Sequence, residues 1–123
     1  MALLHEKTTA LILEGCFELA KELGAGFLEG VYEKALRLVL REKGLSVKAQ
    51  VPLSVNFRGQ IVGEYFADLV VDDKVIVELK AVKALSPEHQ AQVINYLKAT
   101  GYEVGLLVNF GSPRIEYKRM VRP

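Results

Sequence analysis

The hydrophobic period of these 123 residues switches at Gly44, and that switch restricts the fold more than any other feature. Before it, apolar residues recur every three to four positions. Leu4, Leu11, Ile12, Cys16, Leu19 and Leu23 do so over residues 4–23, and Leu28, Val31, Ala35, Leu38 and Val39 over 28–43. This spacing predicts two amphipathic helices separated at Gly24-Ala25-Gly26. Gly15, inside the first, costs about 1 kcal/mol of propensity relative to Ala, and Lys43-Gly44 ends the second with a basic turn and a Gly cap. Glu29 and Tyr32 are expected at one margin of the second stripe, with Glu33 further towards solvent. After Gly44, Val47, Ala49, Val51, Leu53, Val55 and Phe57 alternate with period two. They predict a strand, with Pro52 marking an edge or a bulge.

Arg58-Gly59-Gln60 reads as a turn, followed by a second strand over 61–71 and a third over 74–82. Ser86-Pro87 supplies an N-cap and a first-position proline for a helix running to about Thr100, stopped by Gly101. Val104 to Asn109 is a short apolar strand, Ile115 to Lys118 a last edge strand, and a basic tail follows. The order αα-βββ-α-β(β) predicts one α/β (α+β) domain over residues 1–123, with a mixed sheet of four to five strands flanked by helices. The crossover helix allows the third and fourth strands to run parallel, whereas the hairpins are antiparallel.

Composition excludes several classes. Half the residues are hydrophobic, and 16 Lys+Arg nearly balance 15 Asp+Glu, a mixture that builds a core and argues against disorder. No charge-free run approaches the roughly 18 residues of a membrane span. His5, Glu6 and Lys7 precede any apolar block, unlike a secretory leader. The lone Cys16 forms neither an internal disulfide nor a zinc site, and it sits in an apolar stripe as packing. The expected location is the reducing cytoplasm.

The segment Ala67-Asp68-Leu69-Val70-Val71-Asp72-Asp73-Lys74-Val75-Ile76-Val77-Glu78-Leu79-Lys80 carries the chemistry. Ile76, Glu78 and Lys80 share one face of their strand, Glu78 and Lys80 being roughly 6.5 Å apart along it. A two-residue loop at Asp72-Asp73 places Asp68 opposite Val77, on the wrong face. A three-residue loop, Asp72-Asp73-Lys74, places it opposite Glu78. The longer loop, or an equivalent bulge, is therefore expected. Paired carboxylates suit a hard cation such as Mg²⁺ or Mn²⁺, which activates water and stabilises charge on a phosphate. Lys80 can orient or deprotonate that water, or stabilise the phosphorane. The alternative is a solvated hairpin with ordinary ion pairs.

On the third helix, Gln92 and Tyr96 are four apart and share a face with His89. They suit holding a water or phosphate and bracing the lysine; the alternative is a half-buried Tyr beside a solvated Gln. Glu29 offers a third carboxylate if its helix crosses the open end of the hairpin. Gly24-Ala25-Gly26 lacks the strand context of a phosphate-binding loop.

Gly26-Phe27-Leu28-Glu29-Gly30-Val31-Tyr32, together with Asp68, Glu78-Leu79-Lys80 and Gln92-Val93-Ile94-Asn95-Tyr96, closely resembles the GxxExxY proteins, within the PD-(D/E)XK nuclease superfamily. The resemblance spans nearly the whole chain. It implies a restriction-endonuclease-like core in which Asp68 and Glu78 bind Mg²⁺ (Mn²⁺ as a substitute) and Lys80 is the catalytic lysine. Glu29 matches the family's own glutamate, and Gln92 and Tyr96 a helical Gln-x-x-x-Tyr element. Ala67 stands where the superfamily has a proline, a tolerable change because the metal needs only the carboxylate. The implied function is metal-dependent phosphodiester hydrolysis on nucleic acid, DNA ahead of RNA. The carbonyl of Leu79 is a further candidate metal ligand. Lys83, Lys98, Arg114, Lys118 and Arg119 are candidate phosphate contacts, and a homodimer would double that basic footprint. Two alternatives stand beside it: a non-catalytic nucleic-acid- or protein-binding module on the same scaffold, and an enzyme acting on another phosphorylated substrate.

Overall fold

The computed structural model describes residues 3–123; residues 1 and 2 of the expected domain lie outside it. Eight elements follow in the order α1 (Glu6–Leu23), α2 (Glu29–Glu42), β1 (Val47–Phe57), β2 (Gln60–Val71), β3 (Val75–Lys80), α3 (Pro87–Ala99), β4 (Val104–Asn109) and β5 (Glu116–Val121). The strands form one five-stranded sheet in chain order, β1-β2-β3-β4-β5. All neighbours are antiparallel except β3 and β4, which α3 connects as a parallel pair. The fold is thus α+β with a mixed sheet, consistent with a restriction-endonuclease-like core. The last strand runs on past its expected end at Lys118, so Arg119 belongs to β5 rather than to a tail.

Both sheet faces are covered. Val47, Leu69, Val71, Val77 and Leu106 pack with Ile12, Cys16, Leu19, Tyr32 and Leu36 from α1 and α2. Val70, Ile76 and Leu107 pack with Val93, Tyr96 and Leu97 from α3. Such two-sided burial explains why β3 and β4 read as nearly continuous apolar runs. Gly15 has a packing reason: a Cβ there would sit 2.9 Å from Leu40 Cδ2 and 3.2 Å from Val39 Cγ1, so the missing side chain lets α2 pack closely on α1 at this point. Burial also pushes the Cys16 thiol up to about 12, leaving it protonated and unreactive.

The buried stripe of α2 differs from the expected one. Tyr32, Leu36 and Leu40 face the core, whereas Leu28 is 82% and Leu38 is 64% exposed. Tyr32, expected at the margin, is wholly buried. Its ring stacks on Phe110 at 4.7 Å, and its hydroxyl donates to the Gly24 carbonyl (2.6 Å) and accepts from the Phe27 N–H (3.3 Å). The loop leading into α2 therefore folds around one phenol, which a helix entered through glycines needs to fix its angle.

Candidate functional site

The β2–β3 hairpin closes through three residues, Asp72-Asp73-Lys74, because Val71 pairs with Val75. Asp72 and Asp73 both adopt left-handed backbone (φ 52°), a conformation aspartate tolerates better than most residues. Asp72 is further tied to Ser46, whose N–H donates to its carboxylate at 2.9 Å. Continued from Leu69↔Val77, this register sets Asp68 against Glu78.

There the backbone ladder stops and side chains take its place. The Asp68 N–H donates to Glu78 Oε1 (3.1 Å), and the Leu79 N–H donates to Asp68 Oδ2 (2.8 Å). Each carboxylate accepts a backbone N–H of the facing strand, so the two side chains are fixed by the backbone they bridge. Burial first, then the Asp68 charge and a hydrogen bond to Asp68, push the Glu78 carboxyl up to about 9. The Asp68 N–H and Lys80 pull the other way without prevailing. Lys80 is half-buried, and among the described residues its ammonium has no ion-pair partner.

Glu29 opens α2 on the far side of a small polar cavity of about 140 Å³, lined by Glu29, Gly30, Glu33, Gln50 and Asp68. Its carboxyl is raised by burial and by the Asp68 charge, with Lys80 opposing and Glu33 adding. Glu33, expected further towards solvent, is half-buried: it accepts from Gln50 Nε2 at 2.6 Å, and the same nitrogen makes a long 3.5 Å contact to Asp68 Oδ1. Gln50 reaches both because it drops out of the β1–β2 ladder in left-handed backbone (φ 50°) between the pairs Ala49↔Leu69 and Val51↔Ala67.

A second residue outside the expected set is Asn109. Wholly buried, it accepts from the Val82 and Gly111 N–H groups and donates to the Val82 carbonyl and Glu116. With the Phe110 N–H bonded to the Lys80 carbonyl at 2.8 Å, it fixes the chain that leaves β3 just after Lys80.

Tyr96 lies close enough to the carboxylates that Glu78 and Asp68, after burial, help push its hydroxyl up to about 12. Gln92 and Tyr96 line a larger cavity of about 730 Å³ between α3 and the β1–β2 hairpin. His89 is turned away: its Nδ1 accepts from the Ser86 N–H, completing a capping box at the start of α3. The basic candidates do not converge. Lys98 borders the larger cavity. Lys83 is exposed beyond β3, and Arg114 lines a cavity beside Phe17 and Lys21. Lys118 pairs opposite Leu107, on the α3 face, while Arg119 pairs opposite Leu106 on the other face and donates to the Leu4 carbonyl.

Among the described residues no three His, Cys, Asp or Glu side chains close around one point as metal ligands. The chemistry of the donors nevertheless suits a hard cation: oxygen only, two carboxylates held by backbone N–H groups, and one of them carrying a proton that a cation would displace. Among the described residues no helix is long and apolar enough to cross a membrane.

A family model described as the PD-(D/E)XK nuclease superfamily matches residues 6–120. No curated protein matches. The crystal structure of SSO0001 has a similar fold, with a TM-score of 0.61 at 21% identity over 77% of this chain. The match spans about half the length of that protein, 50%.

Proposed function

Since the chain belongs to the PD-(D/E)XK nuclease superfamily, we propose that it is a divalent-metal-dependent nuclease, acting as a single domain on nucleic acid in the reducing cytoplasm. One observation carries this reading: Asp68 and Glu78 are each held by a backbone N–H of the other's strand where the β2–β3 ladder opens, with Lys80 on the Glu78 face. A structural ion pair would put a cation between such carboxylates; here the cavity that Asp68 lines is bordered by further acid, Glu29 and Glu33.

Asp68 and Glu78 would hold Mg²⁺, or Mn²⁺ in its place, with the Leu79 carbonyl and Glu29 completing the oxygen set directly or through water. When bound, such an ion supplies a nucleophilic water at neutral pH and a Lewis acid for the phosphoryl oxygens. Lys80 orients that water and offers positive charge to the phosphate as negative charge builds on it. Gln92 and Tyr96 face the same end of the sheet from α3 and steady the phosphate and the lysine. Lys98 is the best-placed basic contact for the strand, and DNA is the expected substrate ahead of RNA.

The test is a cleavage screen with single-stranded, double-stranded and branched DNA and with RNA, in Mg²⁺ and in Mn²⁺, with Glu78→Ala as the control for contaminating nuclease. Cleavage that requires metal and falls at least a hundredfold in Glu78→Ala and in Lys80→Ala, with circular dichroism unchanged, supports the assignment. Equal cleavage by wild type and control, or binding without turnover on every substrate, overturns it.

A further inference from the structure

Beside the carboxylates the larger cavity has features that the hydrolytic reading leaves unused. One wall is the β1–β2 hairpin, which contributes Tyr65 and Asn56; the other is α3, with Gln92, Asn95, Tyr96 and Lys98. The Tyr65 ring is 47% exposed, with its centroid 5.6 Å from that of Tyr96 at a 44° tilt. Gly63 gives the ring its place on the strand, since a Cβ there would meet Tyr65 Cε2 at 3.3 Å. Three amide side chains, each both donor and acceptor, surround this aromatic floor. Its volume of about 730 Å³ is that of a small-molecule site.

We infer that this groove receives an unpaired nucleobase next to the cleaved phosphate, stacked on Tyr65, so that the substrate class is single-stranded nucleic acid or a frayed end rather than an intact duplex. The inference rests on the nuclease reading and deepens it. Tyr96 belongs at once to the groove and to the surroundings of Glu78 and Asp68, so a strand whose phosphate lies at the carboxylates has its adjoining base at the groove. A paired base has both faces covered by its neighbours and cannot present one to a ring set between a strand and a helix. Stacking on an aromatic side chain is tolerant of sequence, and amides that donate and accept suit any base edge. Lys98, at the rim, meets the backbone.

The experiment measures binding of a labelled single-stranded oligonucleotide, the same strand with one abasic position scanned along it, and the matching duplex. All are measured without divalent metal, so that no strand is cut, on wild type, Tyr65→Ala and Tyr65→Phe. The expected result is single-strand affinity lowered on the order of tenfold in Tyr65→Ala and retained in Tyr65→Phe. One abasic position should weaken wild type by a similar factor and leave Tyr65→Ala unaffected. Tyr65 is 47% exposed and meets the core through the Tyr96 ring alone among aromatic contacts, so Tyr65→Ala is expected to fold, which circular dichroism checks. Equal affinity of wild type and Tyr65→Ala, insensitivity to the abasic site, or preference for the duplex overturns the inference, as does absence of binding. The two readings fail separately: Tyr65-dependent binding without any metal-dependent cleavage removes the nuclease, whereas Glu78-dependent cleavage that ignores Tyr65 and abasic sites removes the groove.

Discussion

With only 4% of its surface exposed, Glu78 holds a carboxyl pushed up to about 9, burial being the larger cause and the Asp68 charge the next. In the unfolded chain the same group titrates near its ordinary 4.5. Below that pH both states are protonated and the contribution of Glu78 to stability is whole. As pH rises towards 9 the unfolded chain releases the proton and the native one retains it, so stability is progressively lost. Metal-free protein should therefore melt lower at pH 8 than at pH 5, and the difference should shrink in Glu78→Gln. Thermal melts in EDTA decide this; parallel profiles for the two proteins would refute the assigned cause. Tyr32 gives a second residue-scale prediction. Tyr32→Phe keeps the stack on Phe110 but removes the hydroxyl that ties Gly24 to Phe27. It should cost about 1 kcal/mol in a denaturant titration, and it should loosen the entry to α2 that carries Glu29.

At the scale of elements, the junction after β3 is set by backbone packing as much as by Asn109. A Cβ on Gly111 would lie 2.2 Å from the Val82 carbonyl oxygen and 2.3 Å from its nitrogen, contacts that no rotamer change relieves. Gly111→Ala should lower stability by about 1–3 kcal/mol. Gly101→Ala, with nothing within 4 Å, should stay within about 0.5 kcal/mol of wild type. Similar losses in both, read by denaturant melts, would mean that Gly111 is not fixing the Lys80 end of the strand. This scale also shows what was legible before folding. Parity alone placed Asp68 against Glu78: only an odd loop puts both on one face, and Asp72-Asp73-Lys74 is odd. The stripe of α2 was not legible, because Val31, Tyr32, Ala35, Leu36, Leu38, Val39 and Leu40 surround most of the helix. Periodicity cannot choose between such faces; packing against both the sheet and α1 does. Gln50 was hidden for another reason. Arg58-Gly59 sets a two-residue hairpin in which Phe57 pairs with Gln60, but the register shifts at Val55/Asn56 and the chain turns left-handed at Gln50. Neither departure leaves a mark in the alternation, so nothing in the sequence brought Gln50, or Glu33 with it, to Asp68.

For the whole molecule, the acidic pocket predicts that a divalent cation stabilises the native state. A cation bound only when the chain is folded, at a hundred times its dissociation constant, adds about 2.7 kcal/mol. Melting temperature should rise with added Mg²⁺ or Mn²⁺ in wild type and remain flat in Glu78→Gln and Asp68→Asn, as differential scanning fluorimetry can show. An equal rise in all three would place the ion elsewhere. The sheet runs in chain order, β1-β2-β3-β4-β5, and this has a consequence for how such a centre persists. Its two central acids are separated by one short hairpin, so their meeting depends on local closure, which costs little entropy. Glu29 and Tyr96 arrive from helices on either side and depend on the whole assembly. Insertions or losses in the periphery can thus remodel what is recognised while leaving the inner pair intact.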